Sequence, residues 1–151
     1  MAYWLMKSEP DAFSIDDLKR RPGKTSHWDG VRNYQARNYM SSMKKGDEVL
    51  FYHSSCDEPG VVGIARVVKE AYPDHTAFDP DDPHFDPKSK PDAPTWSMVD
   101  VKFVRKLRRT LGLAELKSVP ALADFALVRK GNRLSVLPVT EAQWRAILAL
   151  E

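Results

Sequence analysis

The chain has 151 residues, 42% hydrophobic and 29% charged, which is the size and make-up of one ordinary globular domain with room for a real core. Its start, MAYWLMKSEP, is only briefly apolar before Lys7 and Glu9, too short for a secretory core or a membrane span. Its lone cysteine, Cys56, leaves no partner for an internal disulfide and fits a reducing compartment. The expectation is a single domain over 1–151, cytoplasmic, monomeric and without a membrane partner. The net charge of +2 is unevenly spread. Residues 73–94 hold six acids against two lysines, a balance of −4 that leaves +6 for the rest. Five of those positive charges, Lys102, Arg105, Lys106, Arg108 and Arg109, crowd into VKFVRKLRR, a cluster suited to polyanions or to a solvated strand end.

In chain order, YWLMK (3–7) reads as a short strand stopped by Ser8, Glu9 and Pro10. Ser14 followed by Asp17 opens a short helix over roughly 14–20, and Pro22-Gly23 ends it. HWDGVRNYQARNYM reads as a loop through Gly30, then a helix to about Lys45 stopped by Gly46. On that helix Ala36, Met40 and Met43 form the apolar stripe. EVLFYHS (48–54) is a buried central strand, and Pro59-Gly60 turns it into VVGIARVVKEAY, its partner. Gly63 marks a bulge or a close approach to the backbone there.

The Pro- and Asp-rich stretch 73–94 has no periodicity and predicts a long loop of the kind that forms lids. TWSMVDVKFVRKL alternates as a strand, LAELK gives a helical turn or two, and RLSVLPV (133–139) is a late edge strand. Thr140 and Gln143 cap a last helix that buries Trp144, Ile147 and Leu148. Strands dominate and no regular βαβ alternation appears. The pattern predicts an α+β fold around a mostly antiparallel, strongly curved sheet or barrel.

Catalytic and metal patterns are weak. The four histidines have no standard ligand spacing, and His53 with Cys56 lacks a second pair. FDPDDPHFDP lacks the glycine and terminal glutamate of a calcium loop. There is no Walker A, GxSxG or GxGxxG sequence. No metal, cofactor or catalytic residue is expected.

The unusual segment is WDGVRNYQARNYM, loaded with flat rings and directional hydrogen-bonding groups where Glu and Lys would be ordinary. Together with YWLMKSEP, GDEVLFYHSS, PGVVGIARVVKEAYPD and TWSMVDVKFV it makes the chain resemble the EVE domain family, of the PUA-like group. The resemblance covers most of residues 3–105 in the family's order. It implies a mixed, curved β-barrel flanked by short helices. It also implies nucleic-acid binding, chiefly the reading of modified cytosines in DNA. Two alternatives stay open: an RNA-binding PUA-like domain, or an amide hydrolase of the related ASCH group drawing on Lys7, Glu9, Tyr52 and His53.

A more distant likeness to the YTH domain, which reads methylated adenine in RNA, supplies a pocket. Matching its order are Lys7 and Ser8 after the first strand, Trp28 before a helix and Trp96 before a later strand. Trp28 and Trp96 are expected as paired stacking surfaces, with Tyr52 a third wall. Ser8, Asn33, Ser54 and the Gly30–Val31 backbone would bond the base edge, and Gly63 would leave room for a substituent. Arg32 and Arg37 would meet phosphate or brace the loop. Lys102, Arg105, Lys106, Arg108 and Arg109 would hold flanking phosphates. Trp4, Trp144, Tyr34 and Tyr39 are expected in the core, and Asn33 is equally suited to capping its helix.

Overall fold

The computed structural model describes all of residues 1–151. Its strands are β1 (Tyr3–Ser8), β2 (Thr25–Trp28), β3 (Glu48–His53), β4 (Gly60–Pro73), β5 (Ser97–Gly112) and β6 (Val136–Val139). The helices are α1 (Ile15–Arg20), α2 (Tyr34–Ser42), α3 (Leu113–Lys117) and α4 (Glu141–Leu148), with short 3-10 turns between. Local chemistry sets most of these boundaries. Ser14 and Asp17 form a reciprocal capping box on α1, Thr140 and Gln143 another on α4. Asn33 caps α2 by accepting from the Ala36 amide at 3.0 Å. That helix stops at Ser42, three residues earlier than expected, because Met43 turns extended ahead of the left-handed Gly46.

The six strands form one sheet in the order β2-β5-β4-β3-β1-β6. β1 runs parallel to β3, and the other neighbours are antiparallel. The parallel pair needs a crossover, which the chain makes through α1, β2 and α2. The barrel, and the curling that goes with it, is a correction to the sequence reading. β2 pairs only with β5 and β6 only with β1, so the sheet is mixed but open, with two free edges. Alternation along a strand fixes which side chains share a face. It does not fix whether the outermost strands meet, which depends on tilt and stagger across all of them.

Each face carries its own core. One buries Trp4 and Met6 of β1, Val49 and Phe51 of β3, and Trp28 under Ile15, Leu18, Ala36 and Met40 of α1 and α2. The other buries Leu5, Leu50, Tyr52 and Val61 under α3, α4 and the turns between them, with Leu116, Phe125, Trp144 and Ile147. Trp4 and Trp144 are core residues, as expected. Tyr34 is not: it is 62% exposed.

Gly63 sits at a register shift between β4 and β5. A Cβ there would lie 2.9 Å from both the Arg105 carbonyl and the Ile15 side chain. It is therefore a packing glycine beneath α1, and the space expected beside it for a substituent is filled by Ile15.

Candidate functional site

The end of β1, the segment 9–13, β2 with the loop 29–31, and the tip of the long acidic loop enclose a cavity of about 500 Å³. Trp28 supplies its wall as the last residue of β2, held edge-on by Phe13 at 6.1 Å and Phe51 at 5.2 Å between ring centroids. Phe13 also faces the cavity. The Ser8 hydroxyl donates to the Phe13 carbonyl at 2.7 Å, which fixes that ring's segment across the end of β1.

A second part of the lining is Asp82, Pro83 and His84, set against the 29–30 turn. Its approach is so close that a Cβ on Gly30 would stand 2.6 Å from the His84 ring, and Gly30 has φ +79°. Glycine is required there on both counts.

Buried polar groups hold these loops. Asp74 is fully buried. It accepts from the Gly30 amide at 2.8 Å, Arg32 Nη1 at 3.0 Å, and the Thr76 amide and hydroxyl at 2.9 and 2.6 Å. Burial pushes the Asp74 carboxyl up, but the Thr76, Gly30 and Arg32 hydrogen bonds outweigh it and hold the group below its ordinary value. Arg32 also donates to the His84 carbonyl from Nε at 2.9 Å and Nη2 at 2.7 Å. Arg37 donates to the Thr95 carbonyl at 3.0 Å. Of the two roles the sequence left open for these arginines, the geometry gives both the brace.

Trp96 belongs to the same bracing. It is 6% exposed, stacks on Tyr34 at 5.0 Å, lies under Arg32 and donates Nε1–H to Asp86 at 2.7 Å. It does not line the cavity, so the cavity is not a slot between Trp28 and Trp96. Tyr52 packs in the core of the far face. Lys7 contributes to the cavity lining while its ammonium lies 5.8 Å over the Tyr52 ring, and burial lowers its pKa. Asn33 serves as a cap, and Ser54 donates its amide to the Ser8 carbonyl at 3.0 Å. Of the expected pocket residues, Lys7, Ser8, Trp28, Gly30 and Val31 meet at the cavity, whereas Asn33, Tyr52, Ser54 and Trp96 do not.

The basic run on β5 is largely paired within the molecule. Arg105 meets Glu151 at 2.7 Å, Lys106 meets Asp16 at 2.9 Å, and Arg109 meets Glu115 at 2.7 Å. Lys102 and Arg108 make no ion pair. Phe13, Arg21, Asp29 and His84 line the cavity without having been singled out. Phe13 and Arg21 flank the short helix α1, which looked merely structural, and Asp29 and His84 sit in loops without periodicity.

Donor atoms of Asp29, Asp82 and His84 lie within 4.8 Å of one another at the rim, the one place where side chains converge closely enough for a cation. Asp82 is already engaged there, accepting from the His84 amide at 2.8 Å. The four residues of the hydrolase alternative are not gathered. Lys7 and Glu9 touch the cavity, while Tyr52 and His53 do not, and His53 Nε2 accepts from the Ile15 amide at 3.1 Å.

An open mixed sheet that carries an aromatic-walled cavity braced by buried polar groups defines a ligand-binding domain with a preformed site. The EVE domain model matches residues 2–150, and the chain belongs to the EVE domain family. Human thymocyte nuclear protein 1 is 50% identical over 99% of this chain and 74% of its own length. A protein from Pseudomonas syringae has a similar structure at TM-score 0.96, with 57% identity over 99% of both chains. The human protein, crystallised in complex with 5-methylcytosine containing DNA, superposes at TM-score 0.96 with 49% identity, covering 99% of this chain and 97% of that one.

The likeness to a YTH domain of Zygosaccharomyces rouxii is one of fold alone, at 14% identity and TM-score 0.56. The tryptophan pair carried over from it does not assemble here, because Tyr34 and Arg32 cover Trp96. The cytoplasmic expectation is also corrected, since the human, mouse and rat relatives are named as nuclear proteins. A single cysteine fits a nucleus as well as a cytoplasm, because both are reducing.

Proposed function

We propose that residues 1–151 form one EVE domain that reads modified bases in DNA, taking a base turned out of its stack into the Trp28 cavity. The observation that carries this reading is the cavity itself: a Trp28–Phe13 wall, rigidly backed, in a fold whose 49% identical human relative was crystallised with 5-methylcytosine containing DNA.

Extruding a base from a duplex costs a few kcal/mol. Stacking on an aromatic ring returns about 1–3 kcal/mol per base. The indole of Trp28 supplies that surface, and Phe13 and Val31 offer apolar contact for a methyl group. Asp29 and those backbone groups of the 29–31 loop not already bonded to Asp74 and Arg32 supply acceptors and donors suited to a cytosine edge. Ser8 completes the site at the end of β1, beside Lys7, whose ammonium is turned to Tyr52.

The test is calorimetric titration with duplexes that differ only at one cytosine, plain or 5-methylated. Tighter binding of the methylated duplex is expected, and equal affinities would sink the reading. Matched RNA strands in the same titration should bind more weakly than DNA.

A further inference from the structure

The mouth of the cavity is electrically lopsided. One rim carries Asp29 and Asp82, backed by the acidic loop, and Glu9 adds a third acid to the lining just past β1. The other is the end of α1 and the turn that follows it, with Arg21 in the cavity lining and Lys19, Arg20 and Lys24 beside it, all exposed. Among these four cations only Arg20 approaches a carboxylate, Asp17 at 3.8 Å, and that pair is wide open to solvent. Asp16 is taken by Lys106.

Two partly exposed rings hold the other three cations in place. Arg21 Cζ lies 5.3 Å from the Phe13 centroid, and the ammonium groups of Lys19 and Lys24 lie 5.9 and 5.8 Å from the Phe103 centroid. A ring contact occupies one side of an ammonium and leaves donors free for another ligand. A row of unneutralised cations thus starts at the cavity and leads away from it over α1. The β5 run offers less, since three of its five cations already have carboxylate partners.

We infer that the phosphodiester backbone flanking the turned-out base crosses the α1 rim, entering at Arg21 and leaving over Lys19 and Lys24, rather than along the 105–109 run of β5 or the acidic loop. The inference rests on the DNA reading above. The acidic rim repels the strand from one side and the α1 cations attract it on the other, so the charge pattern sets its path.

The test compares the wild-type chain with Lys19→Gln/Lys24→Gln and with Lys117→Gln/Lys130→Gln, which removes the same charge from exposed positions on the far face. Affinity for plain and methylated duplexes is measured across a salt series, with melting curves to verify folding. The Lys19/Lys24 variant should bind both duplexes roughly tenfold or more weakly, keep the methyl preference, and show a salt slope shallower by about 1.8. The far-face variant should stay near wild type.

An unchanged slope in the Lys19/Lys24 variant overturns the path, as does an equal loss in both variants or a loss confined to the methylated duplex. The reading of the cavity fails separately. A wild-type chain with no methyl preference refutes that reading, while the salt slopes still decide the path. A wild-type chain that binds neither duplex refutes both.

Discussion

The carboxylate of Asp74 accepts the backbone amide of Gly30 at 2.8 Å, across 44 residues of sequence. This one contact ties the loop after β2 to the 3-10 turn after β4, and so holds one side of the cavity. The same carboxylate holds Arg32, which grips the His84 carbonyl on the other side. A single buried acid therefore ties down both the 29–31 loop and, through Arg32, the segment at His84.

Asp74→Ala should cost about 3–5 kcal/mol in urea denaturation, the range for breaking a buried charged pair. Arg32 would lose its only carboxylate, and the Gly30 and Thr76 amides their acceptor. Asp74→Asn keeps the shape and should cost less. A loss under 1 kcal/mol in Asp74→Ala would show that the contact does not organise the loops.

Acid should loosen the molecule through two such groups. Asp47 is buried; burial raises its pKa, but bonds from the Lys44 amide, the Trp4 indole and the Ala2 amide more than reverse this. Asp74 behaves alike. Both folded values lie below the unfolded one of about 3.9, so their stabilisation is complete well above that value. It is lost as pH falls through the folded values. Tm measured from pH 7 to pH 2.5 should hold steady and then drop below about pH 4, less steeply in Asp74→Asn.

Gly30→Ala places a methyl group on a φ of +79° and against the His84 ring. The left-handed backbone alone costs about 1–2 kcal/mol for a residue with a side chain. The variant should fold with a lower Tm and bind methylated DNA more weakly, because His84 must swing away from the cavity. Chemical shifts of His84 and Pro83 should move more than those of α4.

The two tryptophans should part company. Trp28→Ala removes a buried ring that backs the cavity and should cost about 3–5 kcal/mol. Trp28→Leu keeps more of the packing and should lose methyl preference with a smaller stability loss. Trp96→Phe loses the indole's hydrogen bond to the Asp86 carboxylate at 2.7 Å. It should speed proteolysis of the acidic loop more than it alters discrimination. Equal effects on discrimination would contradict the separation of their roles.

What the sequence determined by itself was local. The capping pairs Ser14–Asp17 and Thr140–Gln143 placed two helix starts, and Pro59-Gly60 placed the β3–β4 turn. Alternation separated core from surface, and linked motifs over residues 3–105 were long enough to identify the family. These signals are readable because they act over a few residues, or depend on order alone.

Only the tertiary structure decided whether the sheet closed, which indole faced the cavity and which cations stayed free. Trp28 and Trp96 look alike in sequence, each an indole near a strand end. One has its wall exposed to a cavity; the other is covered by Tyr34 and Arg32 from a segment sixty residues away. Likewise the β5 cluster is basic on paper, but Asp16, Glu115 and Glu151 fold back onto it. A charge or a ring takes its role from what packs against it, and those partners are distant along the chain.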